Sequence, residues 1–170
     1  MAIYTLQAVN EMPISEFVKA FGGVAEHSPW VAEKATRFRP FLTPANMSIA
    51  FSESLLTAER GDQLALIRAH PDLAGKAAIS GSLTEDSFNE QAGAGLDTLT
   101  KNEFELFCDL NEKYKKKFDF PFIFAVKGAN KHQILEAFQK RLENNTDQEF
   151  QTALDNICRI FSFRIEERIS

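Results

Sequence analysis

A histidine followed directly by a proline, His70 and Pro71, is the residue pair in this sequence best suited to chemistry. The pair opens the heptad HPDLAGK and follows residues 58–69, whose apolar spacing predicts a helix. Pro71 disfavours the α conformation at the preceding residue, so the helix should stop at His70. His70 shares a side with Leu66 and Ile67, so its ring should face the interior. Such a histidine is a candidate general acid or base; the alternative is a residue that only caps the helix end.

A second group of polar side chains follows in residues 84–93, where Thr84 or Ser82 provides a helix start. On that helix Ser87, Glu90 and Gln91 share one face through their i, i+3 and i+4 spacing. A hydroxyl, a carboxylate and an amide on one face can hold a small polar molecule. A solvated helix face is the alternative interpretation.

The last predicted helix, residues 146–169, places a cation among apolar side chains. Arg164 falls within its inward stripe, and Arg159 lies opposite. A buried cation needs an anion, which is either internal, such as Glu90, or the carboxylate of a ligand. The third alternative is an arginine that reaches outward over the core. The apolar members of the stripe are Phe150, Leu154, Ile157 and Phe161.

Five segments of the chain, in order, resemble those of the 2-oxo-4-hydroxy-4-carboxy-5-ureidoimidazoline (OHCU) decarboxylases. The resemblance covers nearly the whole chain, and it is the order of the motifs that makes it specific. The segments are FGGVAEHSPWVA at 21–32, HPDLAGK at 70–76, EQAG at 90–93, FPFIFAVKG at 120–128 and CRIFSFRI at 158–165.

The resemblance implies a role for individual residues. It implies that His70 is the catalytic general acid or base and that Glu90 assists it in the catalytic site. The other residues implied to bind the substrate, with the backbone of 122–125 lining the pocket, are Pro71, Ser87, Gln91, Phe122, Ile123, Phe124, Ala125 and Arg164.

The implied activity is that of a carboxy-lyase, converting OHCU to (S)-allantoin in urate catabolism. The substrate is an anionic ureidoimidazoline whose carboxylate leaves a ring carbon beside a C=N bond. Because that imine can accept the released electron pair, no cofactor is expected. No metal is expected either, since His27, His70 and His132 lack metal-ligand spacing.

Composition narrows the remaining classes of protein. The 170 residues fit a single domain, 1–170, and are 44% hydrophobic and 25% charged. A net charge of −5 gives a nucleic-acid partner little support, and no apolar run approaches a membrane span. Cys108 and Cys158 are predicted to be core thiols. With no signal peptide and no clear peroxisomal tripeptide, the expected location is the cytoplasm.

Helical spacing dominates the rest of the chain and predicts an all-α bundle of about seven to nine helices, with irregular loops at the active site. Residues 120–126 are apolar and too short for a typical helix, so an extended buried segment is expected there. The other predicted helices are 14–21, 29–38, 44–57, 100–118 and 131–143.

Two functions from other classes remain alternatives to the enzyme. The first is a non-catalytic helical protein that binds a ureide or purine-like ligand in the same cleft. The second is a helical interaction module without a small-molecule site. In that case part of the aromatic excess, which includes 16 phenylalanines, would serve the face of a homodimer.

Overall fold

The computed structural model describes residues 3–75 and 80–170, and helices form most of them. Lys76, the last residue of the HPDLAGK heptad, lies outside the described residues. The all-α prediction is confirmed. The helices of the described residues are α1 Leu6–Glu11, α2 Ile14–Phe21, α3 Trp30–Ala35, α4 Pro44–Leu56, α5 Arg60–Ala69, α6 Glu85–Gly93, α7 Lys101–Phe118, α8 Lys131–Arg141 and α9 Thr146–Glu166.

Most helix ends predicted from the sequence lie within a few residues of the observed ends. The main difference concerns 29–38, where α3 ends at Ala35 and a 3₁₀ turn, Thr36–Phe38, completes the stretch. The turn tightens because Pro40 follows and holds Arg39 in an extended conformation. The short helix α1 was not predicted, since six residues are too few for a visible period; Thr5 caps it by accepting the Ala8 N–H.

Contacts divide the chain into two compact units, and the single domain over 1–170 stays a prediction. The first unit comprises Met1–Ala69 and Ile157–Ser170. Aromatic rings form its core: the ring of Phe17 lies 5.0 Å from Phe21 and 6.2 Å from Phe51, measured between centroids. Phe161 of α9 meets Phe51 edge-on at 5.9 Å.

The second unit is His70–Asn156, and its core is a further set of packed rings. Phe122 stacks on Phe138 with centroids 3.8 Å apart, and Tyr114 meets both rings edge-on. These contacts bury the extended segment 120–126 against α7 and α8, as the sequence predicts. All the sequence-predicted site residues except Arg164 belong to this unit.

Helix α7 has firm ends, which fix where its side chains lie. Thr100 and Glu103 form a capping box at its start, and Asp119 ends it in a left-handed conformation with φ of +63°. A hydrogen bond from Lys131, with a second from the Thr100 backbone, holds the pKa of the Glu103 carboxyl below its ordinary value. The last turn carries three lysines, where the helix dipole favours cations.

Helix α9 is the longest described, at 21 residues, and it bears out the predicted stripe. Arg164 is buried on the stripe, whereas Arg159 is exposed. Within the described ranges, no helix combines the length and the hydropathy needed to cross a bilayer. The buried apolar side chains of the stripe are Phe150, Leu154, Ile157 and Phe161.

Candidate active site

His70 lies where the proline rule places it, directly after the last residue of α5. Its side chain is 8% exposed, and Leu66 and Ile67 on the preceding turn are fully buried. The ring therefore faces the protein interior, as the helical phase predicts. A buried imidazole at a helix end, followed by irregular backbone, is well placed to transfer protons to a bound molecule.

A side chain of α6 holds the loop that follows His70. Ala74 has φ of +52°, a left-handed conformation that costs an alanine roughly 1–2 kcal/mol. Its N–H donates to Gln91 Oε1 at 2.9 Å, and Gln91 Nε2 donates to the Asp72 carbonyl at 3.4 Å. Both ends of the Gln91 amide thus bind loop backbone, which offsets the strain at Ala74.

Helix α7 holds the same loop from another direction. Asn111, which is buried, donates from Nδ2 to the Leu73 carbonyl at 2.9 Å. One turn further along, Lys115 Nζ pairs with Asp72 Oδ2 at 2.6 Å. The buried hydrogen bond satisfies a carbonyl that has left regular structure, and the partly exposed ion pair adds little energy.

The predicted polar face of α6 is present, but its members differ in exposure. Ser87 and Gln91 are buried, and Glu90 is half-buried. Thr84 caps the helix by accepting the Ser87 N–H, which selects it over the alternative Ser82. The face is therefore turned inward, which excludes the solvated interpretation for Ser87 and Gln91.

Two polar side chains bind the backbone of the segment 120–126, one at a carbonyl group and one at an N–H group. Arg141 Nη1 donates to the Ile123 carbonyl at 2.6 Å, and Asn156 Oδ1 accepts the Ala125 N–H at 3.0 Å. Phe122, Ile123 and Ala125 are buried, and the intervening Phe124 is half-buried. The segment makes no ladder, so these side chains supply hydrogen bonds that a helix or sheet would otherwise provide.

Arg164 has an internal anion, and that anion is Glu26. Arg164 Nη1 lies 2.9 Å from Glu26 Oε2, and both side chains are 1% exposed. The same nitrogen lies 3.3 Å from the Val24 carbonyl. The arginine that snorkels outward is thereby excluded, and the internal alternative is realised by Glu26 of the first unit.

A cavity of about 380 Å³ opens beside the loop, within the second unit. Ala74 and Gln91 line this cavity, whereas His70 is not among the described residues that line it. Its wall is mostly apolar and suits a ureide anion poorly, so we do not assign the substrate to it. The other wall residues are Leu83, Phe88, Ala92, Leu96, Asp97, Leu99, Thr100, Lys101 and Phe104.

In residues 3–75 and 80–170, no three His, Cys, Asp or Glu side chains come together as metal ligands would. The three histidines are dispersed: His70 is buried, while His27 and His132 are exposed. The described residues thus offer no donor set for a metal ion.

The sequence model of one family, described as OHCU decarboxylase, matches residues 10–166. The chain belongs to the OHCU decarboxylase family. A Haloferax volcanii protein named 2-oxo-4-hydroxy-4-carboxy-5-ureidoimidazoline decarboxylase is 43% identical to this family member over 166 residues, covering 98% of this chain and 96% of that protein. The resemblance seen in the five motifs is therefore confirmed.

Two further relatives of this OHCU decarboxylase family member are larger proteins. A uric acid degradation bifunctional protein from a Bacillus strain is 43% identical over 162 residues, covering 95% of this chain and 32% of that protein. The crystal structure of an (S)-allantoin synthase matches with a TM-score of 0.79 at 29% identity, covering 98% of this chain and 54% of that chain. The fold therefore also occurs as part of longer chains.

Three residues that shape the site were missed in the sequence. Glu26 lies in the first resembling segment but gave no sign of its partner, 138 residues away. Asn111 and Arg141 are polar residues of helices, and such side chains usually face solvent, yet both are buried. The one signal available for Asn111 was its place beside Leu110 and Tyr114, both of which are buried.

Gly75 tests how tightly the loop must pack. A Cβ added at Gly75 would lie 2.7 Å from the Asp72 Cβ, and the Lys115 ion pair restrains Asp72. Gly75→Ala should therefore lower the free energy of unfolding by about 1–3 kcal/mol, as overpacking does. The control is Gly61→Ala in α5, where a Cβ meets nothing within 4 Å, and where alanine should stabilise the helix. Chemical denaturation measures both, and equal effects would refute the packing argument.

Proposed function

We propose that this OHCU decarboxylase family member catalyses the decarboxylation of OHCU to (S)-allantoin in urate degradation, as a carboxy-lyase that needs no cofactor. The observation that carries the proposal is the buried His70, held at a helix end by Pro71 and by a loop bonded to α6 and α7. Family membership and the names of the relatives, which refer to OHCU decarboxylation and uric acid degradation, support the same reaction.

The reaction requires one bond cleavage and three proton movements. The bond between the ring carbon and the carboxylate breaks, and its electron pair moves toward the adjacent C=N bond as carbon dioxide leaves. The nitrogen of that bond takes up a proton from solvent, and the carbon that carries the ureido group takes up another on one face. The hydroxyl group loses its proton and becomes the ring carbonyl. We assign the transfers at the carbon and at the hydroxyl to His70, because an imidazole can both donate and accept a proton near neutral pH.

The polar residues of α6 are proposed to orient the substrate and His70. Glu90 accepts hydrogen bonds from the ureido and ring N–H groups or orients the imidazole, because a carboxylate only accepts. Ser87 and Gln91 contact the ureido arm and the ring. Gln91 holds the loop as well, and an amide has two N–H groups and two lone pairs, so these roles are compatible.

The remaining wall of the proposed pocket comes from backbone. We assign the contacts with the substrate to the backbone of Phe122, Ile123, Phe124 and Ala125, and a packing role beside the imidazole to Pro71. Backbone groups suit a flat, polar ring because each peptide offers a donor and an acceptor at a fixed position.

Arg164 is proposed to bind the anionic part of the substrate. Its planar guanidinium suits a carboxylate, and its burial keeps that interaction away from water. Glu26 already neutralises the charge, so the contribution of Arg164 would be directional hydrogen bonding rather than net charge.

The assembly and location of the protein are also proposals. Large apolar side chains are exposed in the first unit, among them Ile14, Phe38, Leu42 and Ile49, and such exposure supports a homodimer. Cys108 and Cys158 form no disulfide, which fits a reducing compartment such as the cytoplasm. The small-molecule partner is the anionic ureidoimidazoline itself.

The test of the function is turnover of freshly generated OHCU. Urate oxidation produces the substrate in situ, and circular dichroism follows the appearance of optically active allantoin. With the purified protein, the optical signal should rise much faster than in the uncatalysed control. A rate equal to that control would reject the decarboxylase, and allantoin-induced thermal stabilisation without turnover would indicate the non-catalytic binding protein instead.

His70→Asn tests the acid–base assignment. If His70 moves a proton in the rate-limiting step, kcat should fall by about 10²–10⁴-fold. Because Asn keeps one hydrogen bond and is tolerated at helix ends, stability should fall by no more than about 1 kcal/mol. Rate and unfolding are measured on one preparation. A folded variant with near-normal turnover would leave His70 with a capping role only.

Arg164→Gln alone would remove the buried ion pair with the Glu26 carboxylate, at a cost of about 3–5 kcal/mol. The informative variant is therefore Arg164→Gln combined with Glu26→Gln, which replaces the ion pair with neutral amides and should recover stability. Its KM for OHCU should rise at least about tenfold if the guanidinium binds the substrate carboxylate. The exposed Arg159→Gln is the matched control and should leave KM unchanged. A normal KM in the double variant would make Arg164 purely structural.

A further inference from the structure

A buried polar network stands behind the segment 120–126 and is not explained by the proposed site residues. Arg141, the last residue of α8, pairs with Glu149 of α9: Arg141 Nη2 lies 2.8 Å from Glu149 Oε2, and Arg141 Nε lies 3.0 Å from the same oxygen. Glu149 has no exposed surface, and Arg141 is buried. The pair is therefore removed from water almost completely.

Two more side chains fix the carboxylate. Asn144 Nδ2 donates to Glu149 Oε1 at 2.8 Å, and the Tyr114 hydroxyl donates to Glu149 Oε2. Burial, and secondly the hydrogen bond to Glu149, raise the pKa of Tyr114, so the phenol keeps the proton that it donates. Each oxygen of the carboxylate thus has defined partners, and the guanidinium facing it cannot rotate freely.

Outside this network, the guanidinium contacts the segment 120–126, which is proposed to line the pocket. Arg141 Nη1 donates to the Ile123 carbonyl at 2.6 Å, a short charge-assisted bond. The guanidinium carbon also lies 4.3 Å from the centroid of the Phe122 ring. Arg141 therefore fixes two consecutive residues of the segment, one through its backbone and one through its ring.

The bond to the Ile123 carbonyl acts on the Phe124 N–H as well, because the two groups belong to one peptide unit. A cation bonded to the carbonyl polarises the peptide and strengthens its N–H as a donor. Among the described residues, no acceptor binds the N–H of Ile123 or of Phe124, whereas the N–H of Ala125 is bonded to Asn156. Unbonded N–H groups in a largely buried segment are available to a ligand.

We propose that Arg141, together with Asn156, is a positioning residue for the decarboxylation, which holds the segment 122–125 in place and strengthens the Phe124 N–H as a hydrogen-bond donor to the substrate. The inference rests on the proposed function, since it needs the substrate to lie against this backbone. A buried ion pair is seldom retained for stability alone, because apolar replacements of similar volume are often as stable. A fixed orientation at the pocket wall is what this ion pair provides.

The test uses Arg141→Lys, which keeps a cation for Glu149. A single ammonium cannot reach both the carboxylate and the Ile123 carbonyl as the planar fork does, and it stacks less well on Phe122. The KM for OHCU should rise about tenfold while kcat stays within about twofold, because the lost interaction contributes to binding rather than to proton transfer. Ile134→Val on the same helix is the control, since it loses a buried methyl group and some stability while Arg141 and its hydrogen bond to the Ile123 carbonyl are retained.

Asn156→Ala provides a second route to the same segment and is decisive if Arg141→Lys does not fold. It releases the N–H of the buried Ala125, and it should raise KM about threefold with little change in kcat. Unchanged KM values in both variants, or equal rises in Arg141→Lys and Ile134→Val, would overturn the positioning role. A wild type without turnover in the same assay would overturn the proposed function itself, so the two failures are distinguishable.

Discussion

The spacing of side chains along one helix determines how the second unit presents its polar groups. Asn111 and Lys115 of α7 bind the loop that follows His70, and Tyr114, between them in sequence, binds the carboxylate that orients Arg141. A helix is stiff, so the loop and the segment 120–126 are held relative to each other by less than two turns of α7. A shift of this helix would move both.

Irregular backbone is the reason such a helix is needed. The loop after His70 and the segment 120–126 leave carbonyl and N–H groups without the partners that regular structure supplies. Asn111 and Arg141 each provide one of those partners from a helix, and Gln91 provides two. Helices thus support irregular backbone whose N–H and carbonyl groups stay available to a ligand. In a helix or a sheet, those groups would be hydrogen-bonded to one another.

Local rules made the positions of several site residues predictable. Pro71 disfavours the α conformation at the residue before it, so the place of His70 at the end of α5 was predictable without any tertiary information. The Thr84 cap and the phase of α9 are equally local, and the structure agrees with both. The same phase placed Arg164 on the inward stripe, but it left open whether the guanidinium is buried or reaches outward, and the contact with Glu26 shows that it is buried.

Partnerships between distant residues could not be predicted in the same way. The sequence offered Glu90 as an internal anion for Arg164, but any of the 24 acidic residues had the chemistry, and the partner is Glu26. Gln91 can bind the loop after His70 because Ala74 adopts a left-handed conformation, and an alanine in the sequence does not predict that conformation. Such contacts are decided by how the helices pack, and a single sequence does not encode that packing in any short window.

Two of the buried arginines, Arg141 and Arg164, have the same arrangement of partners. Arg164 and Arg141 each pair with a buried carboxylate and also bind a backbone carbonyl outside the α-helices, those of Val24 and Ile123 respectively. The carboxylate neutralises the cation and so offsets the cost of burying it. The other N–H groups of the planar guanidinium can then donate a hydrogen bond in a fixed direction. A lysine would supply the same charge without that direction. The arrangement therefore uses charge to place backbone, and this explains why both cations sit inside the protein, where stability alone would favour apolar side chains.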